Sequence, residues 1–184
     1  MNLDEKRINS QYIYNGRIIN LRLDDVLLPD GKEAKREIVE HPGGVCVAAL
    51  TEQNEVLFVR QFRAPYGETV LEIPAGKRNS KNEDPLECGK RELREETGAT
   101  AKNYYDLGQL YPTPGYCAEI IWMYAATALT FGESELDSDE FLNVERIPIK
   151  KAVEMVLSGE IKDAKTQAAI LKLNLLLENG SLEI

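Results

Sequence analysis

At 184 residues, with 43% apolar and 29% charged side chains, the chain has the length and make-up of one well-cored globular domain plus a small appendage. A net charge of −9 disfavours a nucleic-acid backbone as partner. No apolar run approaches the roughly 20 residues of a membrane span, and the polar start of the chain is unlike a secretory signal. The cysteines Cys46, Cys88 and Cys117 are odd in number and form no Cys-x-x-Cys pair, which fits reduced thiols and a cytoplasmic location.

Residues 10–40 read as a small antiparallel sheet. Tyr12–Tyr14 turns at Asn15-Gly16, Ile18–Leu28 follows, and Pro29-Asp30-Gly31 leads into Ala34–Val39. Three strands are too thin to stand alone, so this sheet packs on its own core or on a partner. His41-Pro42-Gly43-Gly44 breaks the pattern and divides the chain into an N-terminal sheet, 1–41, and a main domain, 42–184. His41, the only histidine, reads as structural, because a general base needs an orienting partner. Val45–Leu50 and Val56–Phe62 are strands around a polar turn. Arg60 and Arg63 at the end of the second are either surface charge or a clamp for a phosphate or ribose. Thr69–Pro74 is a strand that delivers the Ala75-Gly76 turn.

A helix follows with both ends written in: Asp84 as N-cap, Pro85 at the first helical position, Glu87 three past the cap, and Gly98 as the stop. Leu86 and Leu93 mark its buried side. Glu92, Glu95 and Glu96 fall within about 100° on another face. Arg91, four before Glu95, is placed to pair with it. Alone, such a run is an acidic solvated face; a hard divalent cation such as Mg²⁺ would offset its repulsion. Beyond the helix come a strand at Tyr104–Tyr111 and a rigid Pro112–Tyr116 loop, then a strand at Ala118–Leu129 and an acidic loop at Phe131–Asn143. Two helices close the chain. Ile149–Leu157 is the first, and Asp163–Glu178 the second, with Ala164, Ala168, Leu171 and Leu175 on one stripe widened by Ile170, Leu173 and Leu177. Helices flanking a mixed sheet make an α/β/α sandwich.

The run from Gly76 to Gly98 resembles the Nudix box of hydrolases that cleave nucleoside diphosphates linked to another moiety. That pattern is a glycine, five residues, a glutamate, seven residues, and then R-E-U-x-E-E-x-G-U, where U is bulky and apolar. Arg91-Glu92-Leu93-x-Glu95-Glu96-x-Gly98-Ala99 with Glu83 matches it, except that six residues separate Gly76 from Glu83 and Ala99 is small. The resemblance implies a Nudix-type α/β/α sandwich and a metal ion, Mg²⁺ or Mn²⁺, held by Glu92, Glu96, Glu95 and the Ala75 carbonyl.

Other segments resemble the ADP-ribose pyrophosphatase branch. Gln61-Phe62-Arg63-x-Pro65 is similar to a substrate-contacting run, with Arg63 the stronger choice over Arg60. Glu72 resembles a substrate- or dimer-facing position; its plain reading is an outward strand residue. Pro114, about fifteen residues beyond the box, resembles that branch's mark, and Glu119 follows as a polar contact. The base in that branch is a glutamate on the acidic loop, which nominates Glu140, with Asp139, Glu135 and Glu133 as alternatives. The segment Ser158–Thr166 is also similar to the C-terminal part of that branch. By resemblance the N-terminal sheet is exchanged across a homodimer; adenine would need an aromatic or apolar slot, for which Tyr12 and Tyr14 of the exchanged sheet are candidates. The expected reaction is ADP-ribose plus water to AMP plus ribose 5-phosphate. The rivals are another nucleoside diphosphate sugar such as GDP-mannose, a dinucleotide, or a binding module without catalysis.

Overall fold

The computed structural model describes residues 2–136 and 141–182. The chain forms two compact units: residues up to Gly43 with Tyr111–Ile120, and Gly44–Leu110 with the residues from Ile121 on. In the first, β1 (Lys6–Asn15), β2 (Asn20–Leu27) and β3 (Glu33–Glu40) make an antiparallel meander in that order. The glycine turns expected between them close with Gly16 N–H on the Ile19 carbonyl at 3.0 Å and Gly31 N–H on Leu28 at 2.9 Å. Asp24, buried in β2, accepts from Ser10 Oγ at 2.6 Å and Arg22 Nε at 2.9 Å, tying β1 to β2. The Tyr111–Ile120 segment joins β3 through Val39, whose N–H reaches Tyr116 O at 2.8 Å and whose carbonyl accepts from Ala118 N at 2.9 Å. β1 is exposed along its whole length.

The second unit contains β4 (Gly44–Ala49), β5 (Glu55–Arg63), β6 (Glu68–Glu72), β7 (Ala75–Lys77), α1 (Pro85–Thr97) and β8 (Ala99–Leu110). It continues with β9 (Ile121–Phe131), β10 (Leu142–Pro148), α2 (Ile149–Leu157) and α3 (Ala164–Glu178). A mixed sheet runs β7-β4-β9-β8, with β4 parallel to β9, and an antiparallel one runs β10-β5-β6. β4 is buried along its length. Val47 and Ala49 pack with Leu57 and with Leu93 of α1, while Cys46 and Ala48 pack with Phe58, Met123, Ala152 of α2 and Ile170 and Leu173 of α3. A strand covered on both faces has no polar side to alternate with, which is why Val45–Leu50 is continuously apolar. Leu93, fully buried, contributes about 2 kcal/mol of transfer free energy. Helices on both faces of the strands give the α/β/α sandwich read from the sequence. Among the described residues no helix is long and apolar enough to cross a membrane.

Two helix faces differ from expectation. On α1 the buried residues are Cys88, Gly89, Leu93 and two of the glutamates, Glu92 and Glu96, whereas Leu86 is only half-buried. The helix rests on β4 at Gly89, where an added Cβ would sit 3.0 Å from Val45 Cγ2, and this rotation turns the carboxylates inward. On α3 the buried set is Thr166, Ala169, Ile170, Leu173 and Asn174, while Ala164 and Leu175 face solvent. Apolar residues nearly encircle α3, so their spacing singles out no face; polar Thr166 is drawn in because its Oγ accepts from Ile73 N–H at 3.0 Å. β8 begins at Ala99, earlier than Tyr104, because Gly98 at φ 68° turns the chain straight from helix into strand.

Gly98 is also crowded: a Cβ there would lie 2.3 Å from the Gly132 carbonyl oxygen. Gly98→Ala combines left-handed strain with that clash and is expected to cost about 1–3 kcal/mol in urea unfolding. An unchanged midpoint would show that the α1–β8 junction relaxes freely.

Candidate active site

α1 presents Glu92 and Glu96 to the short strand β7. Glu96 Oε2 accepts from Ala75 N–H at 3.0 Å, and a Cβ on Gly76 would fall 2.0 Å from the Glu92 carboxyl carbon. Only glycine lets the backbone come that close. Val47 N–H bonds the Pro74 carbonyl at 2.9 Å, so in this antiparallel ladder the N–H and C=O of the next residue, Ala75, turn away from β4.

Arg91 gathers the remaining carboxylates. Its Nη1 lies 2.8 Å from Glu95 Oε2 and 2.7 Å from Glu92 Oε1, and its Nη2 lies 3.4 Å from Glu83 Oε1. Burial opposes the guanidinium charge, but these carboxylates outweigh it and raise its pKa further. Its Nε is buried and has no hydrogen-bond partner among the described residues. Burial pushes the neighbouring Cys88 thiol up to about 12, so the thiol stays protonated.

The six-residue spacing before Glu83 is wound around Arg78, which sequence reasoning missed. Arg78 is 7% exposed, donates to the carbonyls of Lys81 at 2.6 Å and Glu83 at 3.0 Å, and lies over the Trp122 ring at 4.6 Å. The available signal was an arginine inside an otherwise small and polar loop.

A second charged cluster lies on β5, β6 and α3. Arg63 Nε and Nη2 donate to Glu72 Oε1 and Oε2 at 2.6 and 2.8 Å. Glu72 is 2% exposed and bonds Lys165 as well, so the plain reading of it as an outward strand residue is wrong. The strand alternation was misjudged there because Glu72 is the last residue of β6, beside the first turn of α3. Because Glu72 takes the Nε–Nη2 edge of Arg63, that edge is not available for a two-pronged grip on phosphate. Arg60 does not join Arg63. It pairs with Glu145 of β10 and lines a small pocket with Glu68, Thr69 and Lys162.

Pro114 and Glu119 belong to the first unit. Glu119 Oε1 lies 3.2 Å from His41 Nδ1, which Gly43 N–H also approaches at 3.1 Å, so His41 does have neighbours that orient it. Glu140 and Asp139 lie outside the described residues. Glu133 is exposed. Glu135 is tied to the far side of α1: its N–H bonds the Glu95 carbonyl at 3.0 Å and its carboxylate lies 3.7 Å from Arg94. Arg94 is two residues, about 200°, from both Glu92 and Glu96.

Comparison with known proteins decides the family. The NUDIX domain model matches residues 40–170, and the nucleoside diphosphate sugar hydrolase N-terminal domain model matches residues 5–39. The chain belongs to the Nudix family. It is 45% identical to an ADP-ribose pyrophosphatase of Bacillus subtilis (strain 168), over 94% of both chains. It is 40% identical to a methanol dehydrogenase activator of Bacillus methanolicus, again over 94% of both. A crystal structure of an ADP compounds hydrolase shares the fold with a TM-score of 0.84, covering 99% of this chain and 100% of that one at 19% identity.

Nudix hydrolases generally use divalent metal ions, and the donor set here suits one. Carboxylate and carbonyl oxygens are the ligands of hard cations. The Arg91 guanidinium lies against Glu83, Glu92 and Glu95 together. Among the described residues no three acidic, histidine or cysteine side chains converge as a metal site; Arg91 bonds Glu92 and Glu95, and Ala75 N–H bonds Glu96.

Gly76→Ala is expected to push β7 off Glu92 and lower turnover at least about tenfold with little loss of folded protein. Wild-type turnover from the variant would remove the close approach from the site. The Glu72 cluster also sets a pH dependence. Burial raises the Glu72 carboxyl, but the bonds from Arg63 and Lys165 outweigh this and hold it below the ordinary value. Burial lowers the Lys165 ammonium, yet Asp163 and Glu72 hold it above its ordinary value. Hence the carboxylate stabilises the fold above about pH 4.3 and its contribution fades as pH falls below that; the ammonium stabilises it below about pH 10.4 and fades above. Thermal unfolding of Glu72→Gln against wild type is expected to show the gap narrowing at acid pH; a gap independent of pH would contradict the sign.

Proposed function

We propose that this Nudix enzyme is an ADP-ribose pyrophosphatase that works in the cytoplasm as a homodimer with Mg²⁺. ADP-ribose and water give AMP and ribose 5-phosphate. The observation that carries the substrate is the near full-length likeness to the Bacillus subtilis enzyme. Burial of Glu92 and Glu96 against Ala75 and Gly76 supports the chemistry.

In this reading Glu92, Glu96, Glu95 and the Ala75 carbonyl hold the metal, which neutralises diphosphate charge and lowers the pKa of water when bound. Gly76 keeps β7 against Glu92. Arg91 orients Glu95. Arg63 contacts the anionic substrate with Nη1, the edge that Glu72 does not use. Arg60 completes the substrate contacts of this unit; Pro114 and Glu119, in the first unit, are carried as substrate contacts by the resemblance alone. Glu140 takes the proton of the attacking water as its oxygen bonds to phosphorus and the bridging P–O bond breaks. Residues up to 41 form an exchanged domain. Tyr12 and Tyr14, 51% and 57% exposed on β1, offer their rings to the partner's adenine.

The test measures turnover of ADP-ribose, GDP-mannose, NADH and ADP-glucose with Mg²⁺, for wild type and Glu96→Gln. ADP-ribose is expected to be preferred, and the variant to lose at least about a hundredfold in kcat. Preference for GDP-mannose would overturn the substrate and keep the metal chemistry; no turnover of any compound would overturn both.

A further inference from the structure

We propose that Lys165 is a positioning residue for substrate binding: it neutralises Glu72 and so leaves the charge of Arg63 to the diphosphate. The inference rests on the reading of Arg63 as a diphosphate contact.

Lys165 stands in the first turn of α3 with its side chain 12% exposed, and its ammonium meets Glu72 Oε2 and, at 3.0 Å, Asp163 Oδ1. Asp163 has other compensation. As N-cap it accepts from Thr166 N–H at 2.9 Å and Thr166 Oγ at 2.6 Å, and the positive end of the helix lies beside it. Among the described residues Glu72 bonds two cations, Arg63 and Lys165. With Arg63 alone the pair would be neutral, and Arg63 would have no net charge to offer a phosphate. Lys165, although it also meets Asp163, takes over part of the neutralisation of Glu72 and so frees part of the charge of the half-exposed partner, Arg63, whose side chain is 36% exposed. Arg63 also feels the fields of Glu96 and Asp163, so without Lys165 the carboxylates around it would be less compensated.

Stability alone is a weak reason for such a cluster, since buried ion pairs can often be replaced by apolar residues without loss. The same turn of α3 also sets the strand that follows Glu72. Thr166 Oγ accepts from Ile73 N–H at 3.0 Å, two residues before Ala75 meets Glu96. Lys165 thus places its charge on an element already locked to the site.

The experiment is steady-state kinetics of the full-length enzyme on ADP-ribose with Mg²⁺, using Lys165→Met, Lys165→Arg, Glu72→Gln, the double variant Lys165→Met/Glu72→Gln, and Arg63→Gln. Lys165→Met is expected to raise KM about tenfold with kcat nearly unchanged, and Lys165→Arg to retain the wild-type KM. In the Glu72→Gln background, adding Lys165→Met is expected to change KM by less than about twofold, because there is no carboxylate left to neutralise. If Lys165→Met alone does not fold, as read by circular dichroism, that comparison carries the test by itself. A merely structural lysine would make the double variant worse than Glu72→Gln, and that result overturns the proposal. An unchanged KM in Lys165→Met does so too. If Arg63→Gln leaves KM unchanged, the reading of Arg63 itself fails; if it raises KM while Lys165→Met does not, only the role of Lys165 falls.

Discussion

Everything at the site depends on one close approach, that of the β7 backbone to the inner face of α1. Gly76 has no side chain, so the chain passes within bonding distance of where a Cβ would strike Glu92, and the amide of Ala75 reaches Glu96. The approach is possible because α1 lies on β4 at Gly89, which rotates the helix until two of its glutamates face the sheet. Burying carboxylates is costly unless hydrogen bonds or cations compensate. Ala75 N–H and Arg91 contribute to that compensation.

The loop before the helix shows how a change of one residue in spacing is absorbed. Arg78 turns inward, binds the carbonyls of Lys81 and Glu83 and stacks on Trp122, so the extra residue is wound into a hub rather than passed on to β7 or α1. Glu83 still reaches Arg91. The geometry that matters for the carboxylates is thereby insulated from the length of the loop.

On the other side of the strand, charges are shared rather than paired. Glu72 bonds two cations, and Asp163 both caps α3 and meets one of them. Sharing of this kind spreads the neutralisation of Glu72 over two cations, of which Arg63 is the more exposed. It also means that Arg63 and Arg60, three residues apart in β5, have different partners: Arg63 bonds Glu72, while Arg60 bridges strands through Glu145.

Local chemistry was legible in the linear chain wherever an element is decided by its own residues. The caps of α1, the glycine turns of the first sheet, the doubly buried run of β4 and the bounds of α2 all follow from caps, turns and periodicity. The spacing of Arg91, Glu92, Glu95 and Glu96 likewise carried the resemblance to the Nudix box, while an α-helix dictates which of those side chains share a side. What the linear chain left open was which way each element faces. The inward turn of Glu92 and Glu96, the burial of Thr166 in place of Leu175, and the capture of Arg63 by Glu72 and Lys165 depend on residues far apart in sequence. Periodicity names a face of a helix, but only packing against another element decides whether that face looks at solvent or at the core.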